Sequence, residues 1–200
     1  MWKEKIEDEA VFEDCTFEGE IIEGQEARNV VFKSITFRQV IFKEVEFRKL
    51  DLIDVTFEGC DLSNISLEDA RLHKVRFKSC RLVGIRFLEA HFNEVKFEDT
   101  NLDYAILSGS QLKEVTFDTC KMNVFSLAQC KLKKVVFKTC EMVRADLAAT
   151  RLKNIDLASC DITGINIKIE DLRGLTVNSM QALEFSKLLG INIKDQDPLF

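Results

Sequence analysis

VTFEGC, VRFKSC, VTFDTC and VVFKTC occupy residues 55–60, 75–80, 115–120 and 135–140. Each opens on Val and closes on Cys, and their starting positions fall on a grid of twenty. The grid point at 95–100, VKFEDT, keeps the Val and the Phe and ends on Thr100. Outside these copies the pattern has a finer step. From 32 to 167 every residue whose number ends in 2 or 7 is Phe, Leu, Met or Ile, 28 of 28 positions. Two residues before each lies a second set, Val30 to Ile165, drawn from Val, Ile, Leu, Ala, Cys, Ser and Thr with Phe125 as the one large member. The remaining positions are mostly polar or charged.

A step of five matches neither the 3.6 of a helix nor the 2 of a strand. It fits a chain that turns a corner every five residues and points two side chains inward each time, so that successive coils stack into a solenoid core. The step of twenty counts the corners: four fives close one coil. Phe37, Phe57, Phe77, Phe97, Phe117 and Phe137 then stack as the large core column, and Cys60, Cys80, Cys120, Cys140 and Cys160 as a small inward column. The predicted fold is an all-β, four-sided solenoid of about seven to eight coils spaced by about 4.8 Å. Its span is 10–177, after an N-terminal extension of 1–9. An irregular coil is expected at 20–29, where Glu20, Gln25 and Ala27 take inward slots and Gly24 can bulge.

Composition supports an economical solenoid. There are 16 Phe against one Trp and one Tyr, and only 8 Gly and one Pro in 200 residues, so the turns must be made without the usual turn residues. No run approaches the ~18 apolar residues of a membrane helix. MWKEKIEDEA has no apolar signal-peptide core, which points to the cytoplasm. The formal charge of −6 argues against direct nucleic-acid binding. All seven cysteines, Cys15 and Cys130 included, fall on the small inward position, which predicts buried free thiols in a reducing compartment.

Outward columns carry the surface chemistry. The column Glu18, Arg38, Glu58, Lys78, Glu98, Asp118, Lys138 mostly alternates in sign, as a solvated face does. Two groups depart from alternation. Glu94, Glu98, Asp99, Asp103, Glu114 and Asp118 form a candidate partner-binding acidic patch, diluted by Lys96 and Lys113. Lys113, Lys131, Lys133, Lys134, Arg151, Lys153 and Arg173 form a basic stripe on the face preceding the Phe column. His73 and His91 share a face, but thiols that point inward leave them without further ligands, so no metal and no cofactor is expected. No Gly-rich phosphate loop, nucleophile elbow or triad spacing appears, which argues against an enzyme.

After Val177 the step of five stops. NSMQALEFSKLLG (178–190) reads as a short helix with Asn178 or Ser179 as its N-cap and Gly190 just past its end. Met180, Leu183, Phe185, Leu188, Leu189 and Ile191 spread apolar surface around it, enough to cover the open end of the solenoid and to meet a second subunit.

The repeat resembles the pentapeptide-repeat family, as in ADLAA (145–149), CDLSN (60–64), TNLDY (100–104) and ARLHK (70–74). The resemblance implies a right-handed quadrilateral β-helix over about 10–178. The tail, DLRGLTVNSMQALEFSKLLGINI (171–193), is similar to that of the quinolone-resistance (Qnr) branch, through Leu172, Gly174, Val177, Ser179, Gln181, Ala182, Leu189, Gly190 and Ile191. That likeness implies a homodimer joined by the helix. It also implies a DNA-mimicking rod that binds DNA gyrase or topoisomerase IV and modulates or protects it against fluoroquinolones. Several drug-resistance members insert loops between coils, whereas the frame here runs unbroken from 30 to 177. The alternative is a structural or adaptor rod that binds another protein through its charged faces.

Overall fold

The computed structural model describes residues 5–193. The outer parts of the expected N-terminal extension and C-terminal tail, 1–4 and 194–200, lie outside the described residues.

The chain winds into a parallel four-sided solenoid. Face A stacks seven three-residue strands, from Val11–Glu13 through Val31–Lys33, Asp51–Ile53, Arg71–His73, His91–Asn93 and Gln111–Lys113 to Lys131–Lys133. Face B stacks seven more, from Thr16–Glu18 to Val136–Lys138. Every pairing is parallel and in register by twenty, as in Phe57↔Phe77 and Leu72↔Phe92. Six full turns separate the first and last strands of face A, slightly fewer than the seven to eight coils expected. Beyond Lys138 stacking continues through single bridges such as Asp156↔Thr176.

Faces C and D behave differently. They begin as strand pairs, Ile21–Glu23 with Ile41–Lys43 and Glu26–Arg28 with Glu46–Arg48. From Asp61 onward they become successive tight turns. Ala105 N donates to Leu102 O at 3.0 Å and Ala145 N to Met142 O at 3.1 Å, closing four-residue turns. Asp or Asn at the head of several of these turns takes the N–H two residues on: Asp61 from Ser63, Asn101 from Asp103 and Asp146 from Ala148. That local bond competes with extended backbone, while the Thr and Val at the equivalent place on face B favour strand.

The corners explain how so few glycines suffice. All thirty positions numbered in 4 or 9 from Glu9 to Asn154 have positive φ, between 49° and 76°, and twenty-five of them are not glycine. Left-handed backbone costs an L-residue about 1–2 kcal/mol. What holds each corner is the coil above: Ser34 N donates to Ile53 O and Glu94 N to Lys113 O, at 2.9 and 3.0 Å. Residues 20–29, expected to be irregular, form a regular coil. Gly24 holds the same corner conformation as its neighbours, with φ +62° and no protruding loop. The substituted inward residues are accommodated because Ala27 is buried and Gln25 Oε1 accepts from Ile6 N at 2.7 Å. Ile6 is itself buried and closes the N-terminal end of the core.

The core is one continuous cluster. Phe37, Phe57, Phe77, Phe97, Phe117 and Phe137 stack nearly parallel, with neighbouring ring centroids 4.8–5.1 Å apart. The spacing is that of the coils, so identical rings fill identical cross-sections. All seven cysteines are free thiols, six of them buried. Each of Cys60, Cys80, Cys120 and Cys140 directs its thiol toward the carbonyl of the core Phe twenty-three residues back, at 3.4–3.5 Å. Thr100 takes the same place with its hydroxyl. The slot selects a small side chain with a weak donor. Burial pushes the Cys130 thiol up to about 11, as suits an inert packing group.

Candidate functional site

The lattice fixes where every outward charge stands. Residues twenty apart lie side by side, about 4.8 Å between strands, and over most of the rod the chain sets opposite signs there. Lys33 pairs with Glu13 at 3.1 Å, and Arg71 clasps Asp51 through two bonds of 2.6 and 2.7 Å. Lys43 pairs with Glu23, and Glu58 lies between Lys78 and Arg38. The Lys78 ammonium, with Arg38 beside it, holds the Glu58 carboxyl below the usual carboxylate range.

The six acidic residues of the candidate patch are largely spoken for. Glu98 pairs with Arg76, Glu114 with Lys134 at 2.8 Å and Asp118 with Lys138 at 3.9 Å. Asp99 accepts from the Ser79 hydroxyl and Asp103 from Asn123 N. Among the described residues only Glu94 of the six has no side-chain partner. The group also spans a corner, face B and the start of face C, so it does not converge on one surface.

The basic stripe is the opposite case. Lys113 and Lys133 are direct neighbours on adjacent strands, as are Gln111 and Lys131, all on face A. Lys113, Lys131, Lys133, Arg151, Lys153 and Arg173 are exposed, and among the described residues none has an ion-pair partner. Lys134, at the edge, is bound to Glu114. The structure brings Lys113, Lys131 and Lys133 together on face A as the sequence placed them, and their lack of an ion pair became visible only when the neighbours were placed. Farther along face A, His73 is held by Asn93, with Nδ1 and Nδ2 2.8 Å apart. Among the described residues no three His, Cys, Asp or Glu side chains gather in a way that would hold a metal.

The third surface is the C-terminal end. Helix α1, Ser179–Ser186, starts in a reciprocal cap: Asn178 accepts from Gln181 N, and Gln181 Oε1 accepts from Asn178 N. Gln181 is buried, and its amide donates to Leu157 O and Cys160 O at 3.0 and 2.8 Å, pinning the helix on the last coil. Sequence reading offered Asn178 or Ser179 as the cap and missed the pin at Gln181. A 3-10 turn, Lys187–Leu189, follows and ends at Gly190 with φ +70°. Of the six candidate interface residues, Phe185 packs partly against the core. Met180, Leu183, Leu188, Leu189 and Ile191 are exposed, Met180 by 71% and Leu189 by 59%. A cleft of about 420 Å³ lies between α1 and the final coil, with Ile162, Gly164, Gln181 and Phe185 in its wall.

A four-sided parallel solenoid with filled core columns belongs to the class of repeat-built β-solenoids. The chain is a member of the pentapeptide-repeat family: the model of the pentapeptide repeat region matches residues 30–107 and again 110–186. No curated protein sequence matches it. Among solved structures it is similar to a trypsin-treated variant of QnrB1, a plasmid-mediated fluoroquinolone resistance protein. That match has 19% identity and a TM-score of 0.48, and covers 91% of this chain and 99% of the other. Full-length QnrB1 gives 16% identity and a TM-score of 0.38, over 91% and 100% of the two chains. HetL, from the cyanobacterium Nostoc sp. strain PCC 7120 and involved in regulating heterocyst differentiation, gives 14% and 0.33, over 84% and 87%.

Proposed function

We propose that this rod is a binding protein rather than an enzyme, that it pairs with a second copy through α1, and that the dimer engages a type II topoisomerase, DNA gyrase or topoisomerase IV, in the manner of the Qnr branch. The observation that carries the reading is the C-terminal end. The tail that resembles the Qnr segment forms a capped helix pinned by Gln181, with Leu183 and Leu189 exposed and Met180 and Leu188 exposed beside the cleft that α1 makes with the final coil. Such an apolar face on a rigid terminal element suits an isologous twofold contact. DNA mimicry through the six-carboxylate patch has weaker support, since five of its members already hold internal partners.

Two measurements test the proposal. Sedimentation should give a dimer that Leu189→Asp converts to a monomer without loss of fold. Gyrase supercoiling, run with and without a fluoroquinolone, should be inhibited or protected by micromolar protein. A monomeric wild type sinks the dimer, and absence of any effect on supercoiling sinks the topoisomerase partner in favour of an adaptor rod.

A further inference from the structure

Face A uses one lattice in two ways. In its N-terminal part, residues twenty apart carry opposite charges and bond: Glu13 to Lys33 and Asp51 to Arg71. In its C-terminal part the same columns run Lys113, Lys133, Lys153, Arg173 and Lys131, Arg151. Like charges directly opposite on neighbouring strands destabilise a sheet. The chain bears that repulsion at Lys113 and Lys133, and it places Lys153 and Arg173 at the same step of twenty where a Glu or Asp would relieve it, as it does elsewhere.

We infer that the C-terminal half of face A binds the phosphodiester backbone of double-stranded nucleic acid. Lys113 and Lys133 stand in register about 4.8 Å apart, with Lys131 about 6.6 Å from Lys133 across the strand, and Arg151, Lys153 and Arg173 continue the basic run into the two following coils. Few acids stand among them: Glu114 forms its ion pair with Lys134 while also lying near Lys113 and Lys133, Glu94 stands a coil away at the corner, and Asp171 is buried and accepts from Ala149 N. Between Gln111–Lys113 and Lys131–Lys133 the backbone groups are spent within the stack, as in Lys131 N to Ser110 O at 3.0 Å, so that part of the face offers no strand edge for an acidic peptide to join. No aromatic side chain stands among these cations, so bases of a single strand would find nothing to stack on. A regular duplex backbone needs neither strand edge nor stack. It gains by release of condensed counterions at each phosphate met by a lysine or arginine. The net charge of −6 describes the whole chain and conceals this segregation.

The experiment is fluorescence anisotropy of the full chain with a labelled 20-base-pair duplex, a single strand of the same length and a poly-glutamate peptide, from 50 to 200 mM salt. The expected result is duplex binding at micromolar protein in 50 mM salt, with a log–log salt slope between about −3 and −5. Lys131→Glu/Lys133→Glu/Lys153→Glu should weaken it at least tenfold. Lys33→Glu/Lys43→Glu/Lys78→Glu, with the same change in net charge on ion-paired sites, should change it less than threefold. Circular dichroism of both variants checks that the rod is intact. Equal losses in the two variants, no duplex binding at 50 mM salt, or tighter binding of poly-glutamate or the single strand would each overturn the inference.

Discussion

Faces A and B, and faces C and D, close the same coil with the same step of five, yet one pair is sheet and the other becomes a stack of tight turns. On the sheet side the core column of face B is an unbroken run of phenylalanines and that of face A mixes Phe with Leu, with Thr, Val, Lys and Arg among the flanking residues outside. On the turn side the centres are mostly Leu and Met, several headed by an Asp, Asn or Ser that captures a nearby N–H. The difference teaches that the inward residues set the coil, while the outward residue at the head of a face and the coils stacked on it together decide how the backbone crosses it.

The comparison breaks first at the core. Phe117→Ala removes one ring from the middle of the stack, where its neighbours at 4.9 and 5.1 Å cannot close the gap, and should cost about 3–5 kcal/mol in urea unfolding. Met122→Leu, the matching place on a turn face, keeps volume and should cost less than about 1.5 kcal/mol. Equal losses at the two sites would show that ring stacking is irrelevant to the sheet side.

The corners sharpen it next. Val124 holds φ +55° with a β-branched side chain that is partly exposed, so Val124→Asn should raise stability by up to about 1 kcal/mol. Gly84→Ala should lower it by about the same amount, because φ is +67° and the new Cβ would sit 2.5 Å from Asn64 Oδ1. Thermal melts of the pair give opposite shifts if corner strain is as large as the backbone implies.

The smallest effect is electrostatic. Glu58 and Glu114 have carboxyls held low by Lys78 and Lys134. Depressed values mean that their stabilisation is present above the ordinary carboxylate range and disappears as pH falls through the lowered one. The melting temperature should therefore drop modestly on acidification below about pH 5. Glu58→Gln should flatten that drop, and an unchanged acid limb would show that the pair contributes nothing.

Much of this was legible from the chain. The 28 centres and the column of twenty placed the core from 30 to 167, because burial in a solenoid depends on position, whereas Ile6 lay outside the repeat and was not foreseen. The helix and its end at Gly190 followed from Asn178 or Ser179 as a cap, from Gly190 itself and from the loss of period. The split between sheet and turn did not, since Arg81, Lys121 and Glu141 lie on turn faces beside Asp61 and Asp146, and the choice is made by stacking as well as by side chain. Nor did the fate of the charges. Glu98 and Asp118 looked like part of an acidic surface until Arg76 and Lys138 were found within reach, and pairing between coils has no signature within any one coil. At 20–29 unusual inward residues suggested distortion, but Gln25 satisfied itself on Ile6 and the coil stayed regular.

The uniform corner has a consequence for how such a rod changes over time. A loss or gain of twenty residues shortens or lengthens it by one storey and leaves every face where it was. A loss or gain of five turns all that follows through a quarter revolution, carrying the basic columns and α1 round to another side with each corner still able to form. The chain is thus a screw with four settings, and the angle between its two ends is written in residue count modulo twenty.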